Sequence, residues 1–264
     1  MKDLIAVLIF LLVPVIAHAD LVNGGFETGD FTGWQTIGDA LVVDLSFGTP
    51  AAEGTYQALV TDAVRVDVTH INFPFNGYFV TPSVPVFNST EQEPSPLEVF
   101  LNLPGLSLTN FATAISGTGG AFGTAFFGSA IKQSFAGDAG SFLLFRWNYL
   151  TNDAVGTGCC DFSFLVLDGT ISLLGSWSSP FSTSSTPFFF DETDYQLFAT
   201  TLETGGTHTL AFGVVQTFDS IQNSALLVDN VSLNQVPEPA SWLLVGFGLI
   251  GLATLSKSLR LSLR

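Results

Sequence analysis

Phe162-Ser163-Phe164-Leu165-Val166-Leu167-Asp168-Gly169-Thr170-Ile171-Ser172-Leu173-Leu174 decides the fold class. Two runs of β-favouring residues flank Asp168-Gly169, a dipeptide that supplies the positive φ a two-residue turn needs, so the stretch predicts an antiparallel hairpin. Upstream of it, 141–150 is the longest strand signal. Alternation sets Phe142, Leu144, Arg146 and Asn148 on one face and Leu143, Phe145, Trp147 and Tyr149 on the other. The turn Gly137-Asp138-Ala139-Gly140 joins it to the alternating run 131–135, and 125–127 precedes that. Downstream, 195–201, 207–215 and 225–233 read as three more strands, parted by Gly205-Gly206 and by 218–224. Ahead of all these lie 41–45, 54–60 and 64–68, the last alternating Val64, Val66 and Val68 against Arg65 and Asp67.

Between the chain ends no stretch shows a 3.6-residue apolar period with caps. Many short strands with Gly and Asp turns therefore predict an all-β fold, a two-sheet antiparallel sandwich of jelly-roll type. About 215 residues bury a sufficient core without disulfides. The segment 71–106 differs in texture: Pro74, Pro82, Pro85, Pro94, Pro96 and Pro104 interrupt regular structure. It is expected to be a long surface insertion whose aromatics, among them Phe73, Phe75, Tyr78 and Phe79, pack on the sandwich or line a binding surface.

Both chain ends carry address signals. Met1-Lys2 and Asp3 are followed by the apolar run 4–16, broken only by Pro14, and by Ala17-His18-Ala19. That is the pattern of an export signal peptide, 1–19, cleaved after Ala19. At the other end Pro237-Glu238-Pro239 introduces the uncharged run 241–255, then Lys257, Arg260 and Arg264. The run approaches the roughly 20 residues that span a bilayer once flanking Ala240 and Ser256 extend it, so a transmembrane helix is expected at about 241–256. Basic residues beyond it keep that end in the cytoplasm and the body of the protein outside.

The exported body, 20–235, is strongly acidic. Residues 20–236 hold 21 acids against Arg65, Lys132 and Arg146, a net charge of −18. Such a surface argues against nucleic acid and anionic lipid as partners and favours solubility or divalent cations. The only cysteines, Cys159 and Cys160, are adjacent. They are able to close a vicinal disulfide, remain as thiols or join a metal or intermolecular pair, but cannot staple distant strands.

The tail resembles the PEP-CTERM sorting signal of exported bacterial proteins: the triplet Pro237-Glu238-Pro239, a short hydrophobic helix and a basic end, here sparser than the usual arginine cluster. The resemblance implies export through the secretory machinery and recognition by an exosortase-type membrane protease. That protease removes the helix and releases the domain or passes it to the cell surface. A plain membrane anchor is the other reading.

A second resemblance rests on Asn23-Gly24-Gly25-Phe26-Glu27, Gly29, Phe31 and Gly33-Trp34, on Ile131, Gln133, Phe135 and Gly140-Ser141-Phe142, and on Leu227-Val228-Asp229-Asn230-Val231. These look like the galactose-binding-like jelly rolls of carbohydrate-binding modules, from which the insertion 71–106 departs. The resemblance implies that the two ends of the domain lie side by side and hold a structural calcium through Glu27 and Asp229. Asp30, Asn23 and backbone carbonyls would complete the ligand shell. The alternative has Glu27 capping loop amides and Asp229 as a turn acid.

Signals for catalysis are sparse. His70 and His208 are the histidines of the exported body, with no His-x-x-x-His or Gly-x-Ser-x-Gly pattern, and His208 is expected to face solvent. Glycosidic chemistry needs only a carboxylate pair. Asp153/Asp161 and Asp191/Glu192/Asp194, near strand ends, would offer one but read as solvated loops or weak cation sites. Of the tryptophans, Trp34 and Trp147 are expected in the core, while Trp177, amid Gly175, Ser176 and Ser178, is the candidate sugar platform. The expectation is therefore a non-enzymatic protein of the cell surface or extracellular matrix. A carbohydrate-binding module for an exopolysaccharide is the alternative.

Overall fold

The computed structural model describes residues 21–63, 83–86, 93–116, 124–153, 161–217 and 223–234. The export signal, the strand expected at 64–68, the aromatics Phe73, Phe75, Tyr78 and Phe79, the cysteine pair and the sorting tail lie outside the described residues. The chain divides into two units, Met1–Asn234 and Gln235–Arg264. Among the described residues the strands are β1 (Gln35–Ile37), β2 (Asp39–Val43), β3 (Gln57–Thr61), β4 (Val84–Pro85), β5 (Ala125–Gly137), β6 (Phe142–Thr151), β7 (Phe162–Leu167), β8 (Thr170–Ser176), β9 (Ser182–Thr183), β10 (Asp191–Glu192), β11 (Gln196–Thr201), β12 (Gly206–Thr217) and β13 (Ser224–Asn234). Two helices, α1 (Pro96–Leu101) and α2 (Ser107–Ser116), lie between β4 and β5.

All pairings among the described residues are antiparallel. One sheet runs β1-β5-β12-β7-β8, with β4 also on β5; the other runs β2-β3-β13-β6-β10-β9, with β11 also on β6. Among the described residues consecutive strands change sheets at β1/β2, β3/β4, β5/β6, β6/β7, β8/β9, β11/β12 and β12/β13, so the sandwich is wound rather than meandering. The hairpin that led the sequence reading is β7-β8. It closes on Asp168 (φ 50°) and Gly169 (φ 80°), with Leu167 opposite Thr170.

Alternation fills the space between the sheets. Leu210, Phe212 and Val214 of β12 meet Leu143, Phe145 and Tyr149 of β6 and Leu226 and Val228 of β13. The Phe145 and Phe212 rings meet edge to face with centroids 4.7 Å apart. Each buried ring contributes about 1.5–3 kcal/mol of transfer free energy. The loop before β1 plugs this core as its glycine-rich sequence suggested. Phe26 is fully buried, Trp34 nearly so, and Trp147 packs against the same cluster.

The opposite faces of β7 and β12 are apolar too, with Phe162, Phe164, Val166, Ala211 and Val215. Helices α1 and α2 cover them through Leu97, Leu101, Leu108 and Ala112. This corrects the expectation of a body without helices. It also gives residues 93–106 of the insertion a packing role. The start of α1 is a capping box: Ser95 Oγ accepts from Glu98 N, Glu98 Oε2 accepts from Ser95 N at 2.9 Å, and Pro96 occupies the first turn. Such a signature is legible in Ser95-Pro96-Leu97-Glu98. On the other sheet Phe47, Phe188 and Phe189 cover Leu59, Leu150 and Leu227 from outside.

Candidate functional site

The two ends of the domain meet. Val231 of β13 donates its amide to Gly24 O at 2.8 Å, and a Cβ on Gly24 would stand 1.9 Å from Val231 O, so only glycine fits. This contact sets Glu27 of the opening loop beside Asp229 of β13: an ideal Cβ on Gly25 would be 3.7 Å from Glu27 Cγ and 3.9 Å from Asp229 Oδ1. A third segment, 52–56, closes over both. Glu27 Oε1 accepts from Thr55 N (2.9 Å) and Tyr56 N (3.0 Å), while Asp229 Oδ2 accepts from Glu53 N (2.8 Å) and Oδ1 from Asn230 N (2.6 Å). At Gly54 (φ 70°) any side chain would collide with the Glu27 carboxylate.

Asp229 is fully buried, and burial raises its carboxyl to about pKa 6, the nearby Glu27 charge adding to the rise. Two carboxylates drawn together on amide donors form a hard-oxygen pair suited to a calcium ion, since each oxygen keeps a second lone pair. The other expected ligands are engaged elsewhere. Asn23 Nδ2 donates to Asp30 O and its Oδ1 accepts from Thr28 N; Asp30 Oδ1 accepts from Thr28 Oγ1 and Thr32 N. Those bonds hold the Asp30 carboxyl below its usual range. Among the described residues no three His, Cys, Asp or Glu side chains form a metal-holding group. The pair therefore fits calcium only with carbonyl and water oxygens completing the shell.

Beside this junction the outer face of β3, β13 and β6 carries the polar Gln57, Asp229 and Asn148, next to the apolar patch of Leu59, Leu150 and Leu227. Tyr195 donates its hydroxyl to Gln57 Oε1, and burial with the charges of Asp229 and Glu192 pushes its phenol up. The acidic run near β10 is structural: Glu192 accepts from Asn148 Nδ2 and Ser185 N, both at 2.8 Å, and Asp194 accepts from Ser182 Oγ at 3.0 Å. Asp153 and Asp161 are not solvated, at 3% and 1% exposure, and Asp62, which the sequence reading passed over, is buried with them.

His208 does not face solvent either. It is 3% exposed, packs on Phe135, and its Nδ1 lies 2.6 Å from Asp168 Oδ2 in the hairpin turn. Asp168 Oδ1 also accepts from Thr209 N, so the pair clasps the β7-β8 turn to β12. Alternation explains the placement: His208 stands opposite Phe135, two residues before inward Leu210. Trp177, in the turn after β8, is half-buried beside exposed Ser178.

Residues 235–257 match the model of the PEP-CTERM protein-sorting motif. Comparison with curated proteins returns no match. Among solved structures the chain is similar to TmCBM61, seen in complex with beta-1,4-galactotriose, at 12% identity over 83% of this chain and 100% of that one, with a TM-score of 0.39. It is also similar to CBM28, a module specific for non-crystalline cellulose (10% identity, 82% and 96% covered, TM-score 0.35). A third similar structure is the CBM22-1 xylan-binding domain of Paenibacillus barcinonensis Xyn10C (10%, 84% and 99%, 0.33). The chain therefore carries a two-sheet antiparallel sandwich and, after it in sequence, a PEP-CTERM sorting motif, the mark of an exported, surface-sorted protein. No described helix is long and apolar enough to cross a membrane, and 241–256 is not among the described residues.

Proposed function

We propose that the chain is a non-enzymatic protein of the cell surface or extracellular matrix whose sandwich is the delivered part and whose tail is removed by an exosortase-type protease. The observation that carries this reading is the sorting motif at 235–257, which begins at the residue after β13 ends at Asn234. Within the sandwich, Glu27, Glu98, Glu192 and Asp229 all accept backbone amides, which is scaffold work rather than the poise of a free acid or base. A calcium ion held by Glu27 and Asp229 would lock the opening loop to the last strand. Its chemistry there is charge neutralisation and oxygen coordination.

Carbohydrate binding is the second reading, favoured by the incomplete burial of Trp177 in a serine-rich turn. The test is a polysaccharide pull-down of the purified chain with and without calcium. Retention on a polysaccharide that Trp177→Ala abolishes, with thermal stability unchanged, would replace the first reading by the second. No retention in either condition by a folded sample agrees with a structural surface protein.

A further inference from the structure

Ser224, the first residue of β13, holds two acids at once. Its amide donates to Asp62 Oδ1 at 2.8 Å and its hydroxyl to Asp161 Oδ2 at 3.1 Å. Carboxyls on the nitrogen and oxygen of one serine are near neighbours, and these are 0% and 1% exposed. They come from opposite sheets: Asp62 follows β3, and Asp161 precedes β7. Asp161 Oδ1 accepts from Thr217 N at 2.8 Å, whereas Asp62 Oδ2 has no hydrogen-bond partner among the described residues. Around them, Tyr149 donates its hydroxyl to Ser224 Oγ at 3.1 Å, and Thr151 Oγ1 lies 2.9 Å from the same oxygen.

Two ionised carboxylates are strongly disfavoured in so dry a place. A divalent cation would relieve them only with oxygens beyond these side chains to complete its shell, since among the described residues no three such side chains are placed to hold a metal. A proton also relieves them and accounts for the orphan oxygen, since an O–H on one carboxyl bonds to the other. Burial pushes both carboxyls well above their ordinary range, and the charge of Asp153 adds to it. Among the described residues the other charge acting on the pair is that of Asp153, just after β6, and the acids in turn add to the burial that raises the neighbouring phenol of Tyr149.

We propose that Asp62 and Asp161 share one proton at neutral pH, forming a pH-sensitive latch between the two sheets where β3 ends and β7 begins. The proton lies between Asp62 Oδ2 and the Asp161 carboxyl and passes to water when the pair opens. The pair titrates as a unit. Because its folded value is raised, its stabilising contribution is complete below the ordinary carboxylate range and is lost as pH rises through the raised value.

The test uses infrared spectroscopy and thermal unfolding of the purified full chain, with Asp62→Asn and Asp161→Asn. Each substitution supplies an amide hydrogen where the proton was. Expected at neutral pH is a protonated-carboxyl band in the wild type that both variants lose. Their thermal midpoints should also fall less on the alkaline side, by at least the 2–4 °C that about 1 kcal/mol is worth in a domain of this size. A difference spectrum without that band, or an unchanged alkaline slope in whichever variant folds, overturns the proposal. So does a calcium-induced rise in midpoint that Asp62→Asn abolishes and Glu27→Gln leaves intact, since the pair would then hold a cation.

Discussion

The backbone of Val231 bonds to that of Gly24 at 2.8 Å, and through that one contact the first loop of the domain closes on its last strand. Glu27 and Asp229 become neighbours as a consequence, with 52–56 folded over them.

Gly24→Ala should therefore be severe. Its methyl would begin 1.9 Å from Val231 O and 2.7 Å from Leu21 Cδ2, so the loop must move away from β13. Loss of about 1–3 kcal/mol is expected from such overpacking. Urea unfolding at fixed pH measures it, and a midpoint equal to the wild type would show that the ends are not tightly joined.

The pH response of the junction has a definite sign. Asp229 is raised to about 6, so its favourable contribution is complete below the ordinary carboxylate value near 4 and is lost as pH climbs through about 6. Glu27→Gln keeps an oxygen for the amides of Thr55 and Tyr56 but removes a charge that raises Asp229. The Asp229 titration, followed by carboxyl-carbon NMR, should then move to lower pH. A midpoint that stays put or rises would refute electrostatic coupling of the two.

Calcium should act in the opposite direction. A cation favours the ionised pair, so added calcium is expected to raise the thermal midpoint more above about pH 6 than below it. Glu27→Gln should remove most of that gain. Equal midpoints with calcium and with chelator throughout this range would argue that the pair works by hydrogen bonds alone.

Glu98 carries the helical cover. Its carboxylate, 2% exposed, accepts from Ser95 N (2.9 Å), Ser95 Oγ (3.0 Å) and Leu108 N (3.1 Å), tying α1 to the start of α2. Glu98→Ala strands these donors and should cost about 2–3 kcal/mol in chemical unfolding, against less than about 0.5 kcal/mol for a substitution at an ordinary surface site.

Period-two alternation made the sandwich legible, and it was clearest where one face is core and the other is not. In β6, Leu143, Phe145, Trp147 and Tyr149 lie inward as the pattern requires. In β12 both faces are covered, so Leu210–Val215 reads as a nearly continuous apolar run and says nothing of the helices outside it. The capping box at Ser95 and Glu98 was present in the sequence but masked by the five prolines of 71–106 that lie outside it. The junction was legible only in part. Glu27 and Asp229 were found through their motifs, whereas Gly54 and the amides of 53–56 arrive from a distant segment that has no sequence signature. Burial was the least legible property: Asp62, Asp161 and His208 look polar and exposed by composition, yet each is enclosed by partners from other strands.

The most direct test of the central claim is intact-mass spectrometry of the chain recovered from a host with an exosortase-type protease, beside Pro237→Ala, Glu238→Ala and Pro239→Ala. The predicted result is a wild-type product lacking the apolar run 241–255, and variants that keep it. A wild-type chain that retains its C-terminus through Arg264, or variants trimmed like the wild type, would contradict sorting by this motif.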